Sequence, residues 1–326
     1  MKRFCVIPFL LLCAPAFAHH GVAGVGAAGL NGPGAPIESA SSATLPASKT
    51  LVLFKLDHAK FKTYDSDPSA PEADYSQFWM LGAGYGFTPW FSGYLFAPYN
   101  KKIDEPGGFD TKGWADMSVM GQVGFKYDKG FMLIPANESL DDLEDWHFTV
   151  FAGASIPTGN ANLRDSSGSI DPGKSTSFGK PSYTLGVTAT KVATPTLTFN
   201  TEMSHIQFQE YTYDDGTRMR FGAEDRVNLA LAQRWITDGE RLFRLDGVIE
   251  TQYLALGRDR TNGSDDEATG GKIVYLMPGI RVYWSSMSAA LGLKKSVWTR
   301  LNESSLQQGA EGKEKYRIVF TVSAMF

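Results

Sequence analysis

Residues 314–326 read EKYRIVFTVSAMF. Tyr316, Ile318, Phe320, Val322, Ala324 and Phe326 fall on alternate positions, so a strand here has one face that is apolar throughout and ends in an aromatic ring. The same period of two recurs upstream. Around residue 120, Ala115, Met117, Val119, Val123, Phe125 and Tyr127 share a face with Gly121, against Asp116, Ser118, Gln122 and Lys126. Around 230, Val227, Leu229, Leu231 and Trp235 oppose Glu224, Arg226, Asn228 and Arg234. Around 250, Phe243, Leu245, Ile249 and Tyr253 oppose Arg244, Asp246, Glu250 and Gln252. About twelve such segments follow one another. They start near Thr50, Gln77, Trp90, Trp114, Asp145, Phe178, Thr196, Gly222, Arg241, Thr269, Met287 and Gly312.

Alternation alone fits both a soluble sandwich and a membrane barrel, because each has one apolar and one polar face. Three further features separate them. Tight connections (Thr88-Pro89, Ala193-Thr194-Pro195, Thr237 to Glu240, Ser285-Ser286) alternate with long polar ones such as RDSSGSIDPGKSTS and DRTNGSDDEA, as at the two rims of an outer-membrane barrel. Residues 128–145 break that rule on the short-turn side, and Ser139 there is placed to cap a short helix. Trp79, Trp90, Trp114, Trp146, Trp235, Trp284 and Trp298 gather at segment ends, where indoles form interfacial girdles. An even strand count returns both chain ends to the short-turn rim. The expectation is an all-β fold: a transmembrane antiparallel β-barrel of about 12 strands over 50–326.

The first eighteen residues pair Lys2 and Arg3 with the apolar run FCVIPFLLLCAPAFA, ending in Ala16-Phe17-Ala18, and read as a signal peptide. Both cysteines, Cys5 and Cys13, lie inside it, so the mature chain is expected to hold no disulfide. Removing Lys2 and Arg3 takes the formal charge from -4 to -6, with no basic cluster, and nucleic acid is not an expected partner. Residues 19–49 are rich in Gly, Ala, Ser and Pro and read as a flexible N-terminal arm, either periplasmic or a plug segment. His19 and His20 open it. With a free amine at His19, their nitrogens form a candidate copper(II) site, weighed against the solvated end of a tail.

FAGASIPTGNANLRD (151–165), with Pro157-Thr158-Gly159 at a strand end, and GKPSYTLGVTATK (179–191) resemble the outer-membrane transporters grouped with meta-pathway phenol-degradation proteins. The stretch from GLNGPGAP to SATLP resembles that group's arm. The resemblance implies an outer-membrane barrel of a Gram-negative bacterium that passes small molecules, hydrophobic or aromatic ones among them. It supplies no functional residue to carry over. A last strand ending in Phe326 also resembles the signal read by the outer-membrane assembly machinery. That machinery, the membrane lipids and a small-molecule solute are the expected partners.

The inward positions give the candidate lumen lining: Lys55, Asp57, Asp116, Lys126, His147, Glu202, Glu224, Arg226, Arg234, Arg244, Asp246, Glu250, Arg281, Lys294 and Arg317. Such charges are stable in a wet lumen, whereas against lipid an Arg or Lys costs about 2–4 kcal/mol at the midplane. They can select solutes in an open pore or pair with one another and fill a narrow one. No catalytic residue is expected. An outer-membrane lipid hydrolase stays as an alternative with His147 as its inward-facing base, although no G-x-S-x-G occurs. A closed structural or copper-binding barrel is the other alternative. The acidic loop residues Asp65, Asp67, Asp265, Asp266 and Glu267 lack the spacing of a calcium loop.

Overall fold

The computed structural model describes residues 33–61, 72–105, 109–136, 145–304, 307 and 311–326. Twelve long strands form the wall: β1 (Thr50–Phe61), β2 (Glu72–Thr88), β3 (Phe91–Glu105), β4 (Met117–Tyr127), β5 (Trp146–Ile156), β6 (Tyr183–Thr194), β7 (Leu197–Gln207), β8 (Glu224–Asp238), β9 (Phe243–Leu256), β10 (Gly271–Trp284), β11 (Met287–Leu301) and β12 (Glu314–Met325). Each is hydrogen-bonded antiparallel to its chain neighbours. β12 closes on β1, from Leu51 opposite Met325 to Lys60 opposite Tyr316. The sheet is a closed 12-stranded antiparallel barrel, and none of the described residues is helical. Closure removes the unpaired edge that an open sheet exposes.

The alternation sets the two faces. On β1, Leu51, Leu53, Lys55, Asp57, Ala59 and Phe61 are buried inward, while Val52 faces out. Val119, Val150, Leu185, Val187, Leu229, Leu231, Ile249, Ile280, Leu291 and Leu293 form an exposed apolar outer belt. Arg244, Asp246, Glu250, Arg281 and Arg317 sit inside, almost wholly buried. Apolar outside and charged inside is the inverse of a water-soluble protein and the arrangement lipid requires. Exposed indoles bound the belt: Trp146, Trp235 and Trp284 near the short turns, and Trp79, Trp114 and Trp298 towards the long loops. Trp235 sits at a bulge where β8 slips against β9, and its ring covers Gly247, where a Cβ would lie 2.0 Å from the indole.

Three predicted boundaries move. The segment expected from Phe178 begins at Tyr183, because residues 173–178 are buried in a loop that folds into the mouth. The segment expected from Trp114 is interrupted: Thr111–Trp114 pairs with β3, residues 115–116 leave the ladder, and β4 starts at Met117. β2 begins at Glu72 rather than near Gln77 and rises well above the belt. The irregular connection after β4 folds back as a short strand, Phe131–Leu133, against Phe125–Tyr127. Ile134 then tucks beneath Gly124. The expected Ser139 cap lies outside the described residues.

The outer belt generates a test. Replacing Ile249, mid-strand on the outer face, with Arg is expected to lower the unfolding free energy in lipid vesicles by about 2–4 kcal/mol. An exposed Ile→Arg change on a soluble surface stays within about 0.5 kcal/mol. Denaturant titration followed by tryptophan fluorescence separates the two.

Candidate functional site

Residues 33–45 form neither strand nor helix, yet nearly all of them are buried inside the barrel. They have little apolar surface with which to fold alone. What holds them is the polar inner wall. Leu45 N–H donates to Ser92 Oγ (2.8 Å) and the Thr44 hydroxyl to Pro89 O (2.6 Å), both near the short-turn end. Ser42 N–H donates to Thr190 Oγ1 (2.9 Å), and its hydroxyl lies 2.8 Å from that of Thr188. Gln122 Nε2 donates to the carbonyls of Ser41 and Ala43, each at 3.4 Å. The chain crosses the lumen and turns back, where Gly34 N–H meets Thr198 Oγ1 (2.8 Å) and Ala35 N–H meets the Tyr283 hydroxyl (3.0 Å).

Glu250 fixes the apex of this crossing. Its two carboxylate oxygens accept from the successive amides of Ile37, Glu38 (3.0 Å) and Ser39 (3.1 Å), and from the Ser39 hydroxyl (2.6 Å). Hydrogen bonds to a charged acceptor are worth roughly 1.5–3 kcal/mol each. Glu202 takes the next amide, that of Ala40, at 2.7 Å. In return the arm supplies Glu38, whose carboxylate reaches Lys294 (3.0 Å), Lys55 (3.5 Å) and Gln252 Nε2 (3.2 Å). Arg281 donates to Pro36 O (2.5 Å). Wall and arm therefore exchange partners in both directions, which a buried carboxylate and a buried ammonium each require.

Glycines make the room. A Cβ at Gly279 would lie 2.4 Å from Ile37 Cδ1, and one at Gly86 only 2.1 Å from Pro46 O. Ile37 and Leu45 fill the spaces so left and are fully buried, each contributing about 1.5–3 kcal/mol.

The candidate lining residues sort into groups. Arg244 and Asp246 pair at 2.5 Å below the arm, and Arg317 joins Asp57 (3.4 Å), Glu311 (3.6 Å) and Glu314 (2.5 Å) above it. Glu224 holds Arg226 at 2.5 Å near the long-loop end. Arg234 lies opposite Asp246 in register. Lys126 and His147 sit at the short-turn end, where Lys126 Nζ is 3.7 Å from Asp145 and His147 Nδ1 is 3.1 Å from the Asp145 carbonyl. Asp116 lies apart: it accepts Gly159 N–H (3.1 Å) and Phe178 N–H (3.0 Å) and pins the folded loop at the break before β4. There the Thr158 hydroxyl accepts from Met117 N–H (3.0 Å) and donates to Ala115 O (3.1 Å). The Pro157-Thr158-Gly159 triplet therefore replaces the missing ladder bonds. His19 and His20, with Asp65 and Asp67, lie outside the described residues. Among the described residues no three His, Cys, Asp or Glu are grouped to hold a metal ion. Asp265 pairs with Arg260 (2.5 Å), and Asp266 caps its own loop at Ala268 N–H (3.0 Å).

Above the arm two clefts join at Thr184 and Ile206. The lower encloses about 610 Å³, counting space open to solvent, and is lined by Glu38, Ser41, Gln122, Glu202, Arg226 and Asn228 beside Met120 and Phe151. The upper, about 670 Å³ on the same count, is lined by Phe78, Met80, Pro98, Phe178, Ile206 and Phe208. Both linings mix polar and apolar groups: Asp116, Ser118, Ser155, Ser182 and Thr184 also line the upper cleft, and the arm supplies Glu38, Ala40 and Ser41 to the lower. The sequence reading missed both the folded loop and the arm's anchors. The one available signal was the run of inward glycines Gly82, Gly84 and Gly86, which leaves wall space that the wall itself does not fill.

No family model matches the chain, and no curated protein matches its sequence. Among solved structures it is similar to an outer-membrane channel from Pseudomonas putida, with 11% identity over 89% of this chain and 100% of that one, and a TM-score of 0.67. The NanC porin (9% identity, 83% and 98% covered, TM-score 0.47) and the β domain of the Bordetella autotransporter BrkA (11%, 86% and 99%, TM-score 0.45) overlap less closely. The first likeness shows a shared barrel fold. At this identity it does not extend to activity or solute.

Two tests follow from the site. Glu250→Gln removes one anionic acceptor, and hydrogen exchange at the amides of residues 37–39 is expected to accelerate at least about tenfold. Separately, burial pushes the Asp259 carboxyl in the loop after β9 up to about 7, with Asp266 and Glu224 adding to the rise and the Gly222 amide opposing it. The folded loop binds that proton more tightly than the unfolded chain, so its stability is greatest below about pH 4 and falls as pH rises to about 7. Exchange over 257–270, corrected for intrinsic rates, is expected to be faster at pH 8 than at pH 5. Asp259→Asn should abolish the difference.

Proposed function

We propose that this chain is an outer-membrane channel for small molecules, with the arm as its gate. The observation that carries the reading is that the mid-barrel is crossed by a separate stretch of chain, held by hydrogen bonds and ion pairs, and not by side chains of the wall alone. A segment tied by reversible polar bonds can leave without unfolding the barrel. The short-turn end then faces the periplasm, where the arm enters, and the long loops face outward. Phe326 is 67% exposed at the short-turn rim, beside Thr50 (Phe326 N–H to Thr50 O, 2.9 Å), within reach of the assembly machinery.

The solutes that fit are those with an apolar or aromatic body and a polar group. Phe178, Phe208 and Ile206 in the clefts favour the first, and Gln122, Asn228 and Arg226 favour the second. This agrees with the resemblance to phenol-pathway transporters. The seated arm also supports a second reading, a permanently closed structural barrel.

Planar-bilayer recording separates them. Deleting residues 33–45 is expected to give long-lived steps with at least several-fold the open time of the intact chain. A deleted barrel that conducts no better than the intact one would leave only the closed reading.

A further inference from the structure

Two places on the outer wall break the usual rule of cross-strand charge. Lys101 lies directly opposite Lys112, and Lys272 directly opposite Arg300. Lys112, Lys272 and Arg300 are exposed, and Lys101 is half-buried with its Nζ 5.5 Å from the Tyr75 ring centroid. Side chains so opposed have Cβ atoms about 4.5–5.5 Å apart, and like charges there are destabilising. Among the described residues none of the four is in an ion pair.

The two sites share a further pattern. Tyr99 opposite Trp114 lies two residues below the first pair, and Val274 opposite Trp298 two residues below the second. Exposed indoles of this kind mark the membrane interface. Two residues further along a strand, roughly 7 Å, reaches the level of lipid headgroups. Both pairs belong to one arc of the barrel, β10 to β3, which also carries Lys60 between Tyr316 and Tyr75 in register. On the far side His205 and Asp225 face outward at this level, 2.8 Å from each other.

We propose that each cationic pair is a clamp for a phosphate group of a phosphorylated outer-leaflet lipid, so that the barrel carries a lipid-specific arc on its long-loop rim. A phosphate between two opposed cations turns their repulsion into two charge-assisted contacts. The inference uses only the membrane position of the barrel and is independent of whether the lumen conducts.

The test uses the full chain folded in neutral detergent and the midpoint of its heat-induced unfolding. Diphosphorylated lipid A is expected to raise that midpoint by about 4 °C or more at saturation. Phosphate-free lipid A, and inorganic phosphate at equal phosphate concentration, should each give less than half that rise. The variant with Gln at all four positions, Lys101→Gln, Lys112→Gln, Lys272→Gln and Arg300→Gln, should also show less than half the rise. Lys112→Glu combined with Arg300→Glu, which leaves Lys101 and Lys272 each facing an acid and is expected to fold at least as well without lipid, should do the same. A rise of more than half the wild-type value in either variant, or with phosphate-free lipid A or free phosphate, overturns the proposal.

Discussion

Glu250 is a buried carboxylate on the inner face of a lipid-spanning barrel, and among the described residues no cation pairs with it. Its oxygens are satisfied by three consecutive amides and a hydroxyl from residues 37–39. The rest of the interior follows from that requirement. Once the arm is held there, Glu38 is delivered between the buried ammonium groups of Lys55 and Lys294. Ile37 is pressed against Gly279 and Gly292, and Leu45 against Gly84, so the arm contributes apolar burial as well as polar exchange. The arm thereby forms part of the wall of the cleft above it, through Glu38, Ala40 and Ser41.

The loop between β5 and β6 completes the upper half. Asp116 and Thr158 tie it to the interruption before β4, and Lys102 donates to the Gly173 carbonyl. Phe178 then packs against Phe208 and Phe221, with ring centroids 4.5 and 4.9 Å away.

The wall was legible in the sequence because lipid imposes a strict period of two: every residue of a strand must suit either hydrocarbon or lumen, as at Val227 to Trp235. Strand boundaries were less legible where loops supply ladder partners from a distance, as Thr158 does for Met117. The inward position of Glu250 could be read, but its partners could not. A stretch such as IESASSATL carries no periodicity, and its conformation is dictated by acceptors some 200 residues away in sequence, across the lumen. Asp116 shows the converse limit. Parity places it inward, where it lines the upper cleft, but its carboxylate partners, the amides of Gly159 and Phe178, come from a loop that parity does not reveal.

Whether the arm is a seated but separable gate is tested most directly by a reversible covalent lock. The Ser42 and Thr188 hydroxyls are 2.8 Å apart, and both native cysteines lie within the first eighteen residues. In a variant of the mature chain carrying Ser42→Cys and Thr188→Cys, oxidation should join arm to wall. Conductance in planar bilayers is expected to be absent while the disulfide is intact and to appear on reduction. Equal conductance before and after reduction, with the disulfide verified by mass spectrometry, would contradict the account.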